Sequence, residues 1–567
     1  MGSNNLIVRE YLESLKEDSE LDYLFPILLS LKGYKIIATP RDSKGQPQFG
    51  KDVVAIGRDI DGIQKRFFFE LKGHGDKDIT DTVFYKPDGI RESLLAAKEA
   101  AFADRSVPGF NELPIKVVLV HNGTLKNNTR PVLEGFITKE FPDGNFERWD
   151  IHTLTDLFSQ HLFSEYLLTD EESIRLFKRS LVLLDAPEYQ FSDFRLLVDI
   201  QLQKSGDIKG RSLKKLFATL NLLSVIIVHY SKENNNLHPA KHCLTYLLLK
   251  TWRWVLFNNL ETRKPILAEF EKLIAIHYDL LDQYFLKTFD IASEDNGLFA
   301  ERGGPFEAMG YPLRSFEYIN YLIYYFEARL HWPKFDKKLK VLKVYNLRLK
   351  QKECLKKLLI NNLGTKRPII DGNLIAILNV FLFFYRHNDL TKGDREFLAE
   401  YLNDIFGNIL ISYNLHKVFP ELKNNIKALT EFLVSGIRPK EYEDRSSLLI
   451  TILFELTVLL NAQDIYKIYH SEITGKVNLQ TAYTALPEKE FEILLFERTL
   501  HNEYYVEASI NLPDEFKEFK DAILKKSSVF RHYKTDEAGF PFLLLLAHSF
   551  FGNEFLPGEW RRFISPC

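Results

Sequence analysis

The hydrophobic pattern of this chain changes period near residue 165, and no single repeating architecture accommodates both sides of that change. Before it, short β-rich runs alternate with helical segments. Tyr34 to Thr39, Asp52 to Arg58, Phe67 to Lys72, Val117 to Val120 and Asn145 to Trp149 predict strands. Helices are expected over Val8 to Lys32 with a break near Asp18, and over Gly89 to Asp104, Arg130 to Phe141 and Leu154 to Leu167. Asp61-Gly62 reads as the turn of a hairpin between the second and third strands, because glycine accepts positive φ. The last two strands, with a helix between them, have the form of a crossover unit.

After residue 165 the strand signal fades and helical periodicity takes over. It runs through Leu213 to Tyr230, Cys243 to Asn258, Ile266 to Phe285, Phe316 to Leu330, Gly372 to Tyr385, Asp394 to Ile411, Ile426 to Ser435, Leu448 to Leu460 and Glu488 to Thr499. No fixed-period repeat is present, so the plain expectation is a helical bundle or irregular solenoid of one or two subdomains. A loop at Asn296 to Pro312, holding Gly303-Gly304-Pro305, is the candidate internal boundary. The expected fold class is therefore α+β and multidomain. A mixed central sheet flanked by helices occupies 1–165, and an all-α region follows as 166–310 and 311–567, the two helical parts separate or continuous.

Composition narrows the functional classes. Hydrophobic residues are 45% and charged residues 27% of 567, a globular balance. The net charge of −3 supplies no global attraction to nucleic acid, so any such contact needs a local basic surface. Three separated cysteines, Cys243, Cys354 and Cys567, fit a reducing compartment and form neither a disulfide framework nor a zinc site. The apolar stretches Leu216 to Tyr230 and Leu374 to Tyr385 are shorter than a membrane span and read as buried helices. No secretory or myristoylation signal opens the chain, and a cytoplasmic protein without membrane contact is expected. Phosphate-loop, His-Glu-x-x-His and Gly-x-Ser-x-Gly motifs are absent, and so are helix-turn-helix and zinc-finger signatures.

Chemistry concentrates in two neighbouring segments, Gly50-Lys51-Asp52-Val53-Val54-Ala55 and Phe67-Phe68-Phe69-Glu70-Leu71-Lys72. Residues two apart share a strand face, so Glu70 and Lys72 point one way while Phe69 and Leu71 point the other. A hairpin through Asp61-Gly62 places the Asp52 strand antiparallel to the Glu70 strand, with Asp52 facing Glu70. The continuous run Phe67 to Phe69 implies burial on both faces, where an unpaired Glu or Lys costs several kcal/mol. Two carboxylates and an ammonium at one edge suit Mg²⁺ or Mn²⁺ and phosphodiester hydrolysis. The plain alternative makes Asp52 a strand-edge charge, and Glu70 and Lys72 a solvated face.

These segments resemble the PD-(D/E)xK restriction-endonuclease-like superfamily, and within it the Mrr-like branch. The likeness rests on Leu21 to Tyr34 ending in Lys32-Gly33-Tyr34, then Gly50-x-Asp52, then Glu70-Leu71-Lys72, and it covers about residues 8 to 160. It implies that Asp52 and Glu70 are metal ligands, with Lys72 beside the nucleophilic water. It also implies an acid on the first helix, for which Asp22 is the candidate and Glu20 the runner-up, and a polar residue just after the lysine, for which His74 is the candidate. The function implied is a Mg²⁺-dependent nuclease, with Mn²⁺ as substitute, acting on DNA as an effector of prokaryotic defence. The helical region would regulate or target it through a partner or a homo-oligomer. Two alternatives stand beside it: a non-catalytic nucleic-acid-binding scaffold, and an RNA-directed nuclease.

Two further signals are weaker. A basic stretch from Lys334 to Lys357 interleaves with Trp332, Phe335 and Tyr345, and reads either as a phosphate-tracking surface or as a solvated helix face with Leu339, Leu342, Leu349 and Leu355 inward. Phe542 to Leu546 with His548 reads as core.

Overall fold

The computed structural model describes residues 3–564 except 41–49, 101, 105, 165–166, 187–188, 205–209, 332–340, 424, 481–488, 498–508, 527–532 and 553–558. The chain packs as two compact units, Met1–Leu247 and Leu248–Cys567.

The first unit opens with α1 (Ser3–Ser14), a five-residue π-turn (Glu17–Leu21) and α2 (Asp22–Leu31). The expected break near Asp18 is a true kink: Asp18 has ψ 132° and Ser19 has φ 66°. The sheet follows with β1 (Lys35–Ala38), β2 (Val53–Arg58) and β3 (Gln64–Lys72). Helices α3 (Asp81–Tyr85) and α4 (Ile90–Glu99) lead to β4 (Ile115–His121). Helix α5 (Arg130–Glu140) then leads to β5 (Phe146–Trp149) and α6 (Ile151–His161). All five expected strands are present, and their spatial order is their chain order, β1-β2-β3-β4-β5. Strands β1, β2 and β3 pair antiparallel, whereas β3-β4 and β4-β5 are parallel, so the sheet is mixed.

Hairpin chemistry explains the β2–β3 pair. Gly62, at φ 79°, donates its N–H to the Asp59 carbonyl at 2.9 Å, and Asp61 Oδ1 accepts from Ile63 N–H at 2.8 Å. Both faces of β3 are covered, as the Phe run requires. Phe69 meets Phe25 at 5.1 Å and Trp149 at 5.5 Å between ring centroids, while Phe68 joins Val54, Ile56 and Phe110 on the opposite face. Burying each such ring contributes roughly 2–3 kcal/mol, which fixes the strand that carries the charged residues.

Helices α7 (Glu171–Val182), α8 (Ser192–Lys204) and α9 (Arg211–Glu233) complete the unit, and α10 (His238–Phe257) crosses into the second. The first unit therefore extends past residue 165, because α9 packs on α1 and the Tyr11 hydroxyl donates to Leu167 O at 2.5 Å. The compact division lies within α10. The expected 296–312 loop is a 3-10 segment, Glu301–Phe306, running into the next long helix.

In the second unit the helices are α11 (Lys264–Ala292), α12 (Glu307–His331), α13 (Val341–Asn361), α14 (Leu374–Tyr385), α15 (Lys392–His416) and α16 (Ile426–Ser435). They continue with α17 (Leu448–Leu460), α18 (Gln463–Ile473), α19 (Phe516–Lys526), α20 (Lys534–Glu537) and α21 (Phe542–Phe551). Helix α14 is buried on every side and α17 on nearly every side, so these two form its centre. The expected helix over Glu488 to Thr499 is a 3-10 segment, Lys489–Phe496. Three strands of two or three residues, β6 (Ser446–Ser447), β7 (Asn478–Gln480) and β8 (Ser509–Ile510), were too short to leave an alternation signal. Residues Phe542, Leu543, Leu544, Leu546 and His548 are buried, as their pattern predicts.

Helix α9 is longer than the apolar stretch suggests. Among the described residues it is the one helix long and apolar enough to cross a membrane, over Ser212–Glu233, and 72% of its apolar window is buried.

The basic stretch lies only partly within the described residues. Lys334, Lys337, Lys338 and Lys340, with Trp332 and Phe335, lie outside the described residues. On α13, Arg348 pairs with Asp389 at 3.1 Å, Lys352 with Asp389 at 2.9 Å and Asp394 at 3.0 Å, and Lys356 with Asp394 at 2.6 Å. These three cations are committed to internal ion pairs. Leu355 is buried, and Leu349 is 38% exposed rather than inward.

Candidate active site

The site forms where β2 begins and β3 ends. In the β2–β3 register Val53 stands opposite Phe69, which brings Asp52, one residue before the ladder, opposite Glu70. Asp52 Oδ2 accepts the Leu71 N–H at 2.7 Å, so its carboxylate is anchored to the neighbouring strand. Two residues earlier, Gly50 lets the backbone pass close beneath α4. Its φ is 68°, and a Cβ there would lie 1.9 Å from the Ser93 carbonyl oxygen of α4. Only glycine fits, which gives the Gly50-x-Asp52 pattern a steric cause.

Glu70 is 3% exposed, and its Oε1 lies 2.6 Å from Lys72 Nζ, on the shared strand face that alternation predicts. A second acid closes on the lysine from outside the sheet. Glu17 Oε1 is 3.6 Å from Lys72 Nζ, and Glu17 Oε2 accepts the Gly73 N–H at 3.0 Å. Gly73 permits this contact, since a Cβ there would lie 2.7 Å from the Glu17 nitrogen.

The electrostatics follow from three carboxylates sharing one half-buried ammonium. Burial, and then the Glu70 carboxylate, hold the Asp52 pKa well above the ordinary aspartate value, against the Leu71 N–H and Lys72. Burial likewise raises Glu17, opposed by Lys72 and the Gly73 N–H. For Lys72, burial acts downward but Glu70, Glu17 and Asp52 outweigh it, so the ammonium is held charged. Lys51, buried beside the Phe68 ring, donates to Ala96 O at 3.2 Å, and burial lowers its pKa.

Strand β4 adds a neighbour. His121 stands in register with Lys72 and is fully buried. Its Nδ1 meets Lys77 O at 2.9 Å, and burial pushes the imidazole pKa down to about 4.

The expected site residues divide as follows. Asp52, Glu70 and Lys72 come together. Asp22 is the first residue of α2, and Glu20 pairs with Lys215 of α9. The helix-borne acid brought to Lys72 is Glu17, which the sequence reading missed because the kink at Asp18 and Ser19 resets the helical phase. His74 is exposed at φ 52° and opens the 3-10 segment His74–Asp76.

The donor set fits a hard divalent cation. Burial first, and the neighbouring Glu70 carboxylate second, raise the Asp52 pKa, and a bound cation would offset both. Among the described residues no group of three or more His, Cys, Asp or Glu side chains is arranged to hold a metal; Asp52 and Glu70, opposite one another across β2 and β3, are the two carboxylates that could share one. Mg²⁺, which retains several waters, suits such a seat.

No protein-family model, curated protein or solved structure matches this chain.

Proposed function

We propose that the first unit is a metal-dependent phosphodiester hydrolase acting on DNA in the cytoplasm. In this reading the second unit, with the helices that follow the sheet, regulates or targets it through a partner or self-association. The observation that carries it is the meeting of Asp52, Glu70 and Lys72 at one sheet edge, with Glu70 buried and Asp52 and Lys72 half-buried, where a solvated face would leave all three exposed. The resemblance to Mrr-like PD-(D/E)xK nucleases supports the same roles, and a part in prokaryotic defence is proposed on that resemblance alone.

Asp52 and Glu70 would hold Mg²⁺ or Mn²⁺. When bound, such an ion supplies charge stabilisation to a phosphodiester and lowers the pKa of water. Lys72, kept cationic by its three acids, meets a phosphate oxygen as a point charge and orients the attacking water. Glu17 is a positioning residue. It ties Lys72 to the backbone of Gly73 and so limits the directions the ammonium takes. The strand backbone, locked by the Phe67–Phe69 packing, holds these groups without reorganisation when charge develops.

Plasmid and RNA cleavage by wild type and Lys72→Ala, with Mg²⁺, Mn²⁺ or EDTA, tests the proposal. Metal-dependent cleavage that falls at least about a hundredfold in the variant is expected. The 2.6 Å Glu70–Lys72 pair also suits a non-catalytic nucleic-acid-binding fold. Binding without cleavage by folded wild type under every metal condition would favour that reading.

A further inference from the structure

The Lys16–Leu21 turn that delivers Glu17 to Lys72 also walls a second feature of the first unit. A cleft of about 350 Å³ opens beside it, lined among others by Lys16, Glu20, Asp170, Lys204, Lys215 and Thr219. That volume is within the range of small-molecule sites. The turn therefore presents Glu17 to the sheet edge and Lys16 with Glu20 to the cleft.

Charge in the cleft is arranged around anions the protein itself supplies. Glu20 forms an ion pair with Lys215. Asp170 accepts the Ser173 N–H at 2.9 Å as the cap of α7, and pairs with Lys204 at 3.0 Å. The Lys16 ammonium has no partner among the described residues. Thr219, only 5% exposed, lines the cleft, and among the described residues its hydroxyl has no hydrogen-bond partner. Three ammonium groups and a hydroxyl with no hydrogen-bond partner among the described residues, around a small-molecule-sized space, form a receptor for phosphate oxygens. Asp170 is held by its capping bond, whereas Glu20 is the anion that an incoming phosphate would replace.

Glu20 also braces the turn. Its Oε2 accepts the Lys16 N–H at 2.7 Å, and Leu21 N–H returns to Lys16 O at 2.9 Å. Between them Ser19 sits at φ 66°, a left-handed conformation that a serine holds only when its surroundings impose it. Loss of the Glu20–Lys215 pair removes part of that imposition, three residues from Glu17.

We infer that the cleft is a regulatory site for a phosphate-bearing small molecule, which competes with Glu20 for Lys215 and acts through the shared turn on Glu17 at the sheet edge. The consequence for catalysis rests on the nuclease reading. Binding and its effect on the turn do not.

The test is calorimetric titration of the full chain with inorganic pyrophosphate in EDTA, without nucleic acid, so an inactive protein still answers it. Wild type is expected to bind, Lys215→Met to bind about tenfold more weakly, and Glu20→Gln about tenfold more tightly, because its competing carboxylate is gone. A gain in Glu20→Gln does not arise from misfolding. Saturating pyrophosphate should also accelerate hydrogen exchange at the Gly73 amide and at residues 16–21. Absence of binding at millimolar pyrophosphate, or equal affinity in all three proteins, overturns the site. Binding that leaves the Gly73 amide protected overturns its coupling to Glu17.

Discussion

Lys72 and Glu70, two residues apart on one strand, form a 2.6 Å ion pair whose acid is almost wholly buried. Breaking such a pair by removing one member costs about 3–5 kcal/mol, because the other charge stays buried and uncompensated. Glu70→Gln is therefore expected to destabilise the first unit by about 3 kcal/mol, somewhat less than the upper figure because Glu17 and Asp52 remain near Lys72. The double variant Glu70→Gln/Lys72→Met should lose much less than the sum of the two single changes. Denaturant unfolding of all four proteins measures this coupling; strict additivity would mean the two charges do not depend on each other.

Asp52 shows that the site is not optimised for stability. Its folded pKa is raised, so the native state holds this proton more tightly than the unfolded chain does. Its contribution is accordingly favourable below the ordinary aspartate pKa and is lost as pH rises through its folded value. Asp52→Asn keeps an acceptor for the Leu71 N–H and removes the charge. At pH 7 and without metal it should melt at a higher temperature than wild type, while losing metal-dependent cleavage. A thermal melt series from pH 4 to 8 checks this, and a lower Tm for Asp52→Asn at pH 7 would contradict it.

Gly73 bears on the same region sterically. Its backbone is extended at φ −140°, so alanine meets no conformational penalty there, but its Cβ would sit 2.7 Å from the Glu17 nitrogen. Gly73→Ala should push the 16–21 turn outward at a cost of about 1–3 kcal/mol. It should also expose the Gly73 amide to exchange. Hydrogen exchange and cleavage rates on the same preparation separate loss of the Glu17 contact from general unfolding.

Acid sensitivity should trace in part to His121. Its folded pKa of about 4 lies below the ordinary histidine value, because burial penalises the charged ring. Stability contributed by the neutral ring is present above the unfolded pKa of about 6.5 and is lost as pH falls towards 4, amounting to a few kcal/mol at most. His121→Asn should flatten stability against pH over that window while leaving the profile above pH 7 unchanged in shape. An unaltered acid limb would place the sensitivity elsewhere.

The sheet and the core of the site were legible because each rests on a local rule. Period-two alternation set the faces of Glu70 and Lys72, and Asp61-Gly62 set the hairpin that brings Asp52 across. What escaped depended on geometry that periodicity does not encode. Glu17 reaches Lys72 only because Asp18 and Ser19 leave helical conformation, and extrapolating a continuous helix cannot locate it. Helix α6 starts three residues earlier than its apolar pattern because Asp150 caps it, accepting from His152 and Thr153 N–H groups. The first unit's extent was hidden for another reason: α9 belongs to the sheet's neighbourhood through packing on α1, a long-range contact with no sequence mark.

The ion pairs of α13 bear on how any nucleic acid binding by this protein should respond to salt. Arg348, Lys352 and Lys356 already face Asp389 and Asp394, so they hold little of their charge available to a polyanion. A phosphate backbone laid along these residues would release few condensed counterions. Measured affinity plotted against salt concentration on logarithmic axes should therefore keep its slope when these three residues are neutralised, and the steepness of that line should be governed by lysines and arginines elsewhere in the chain.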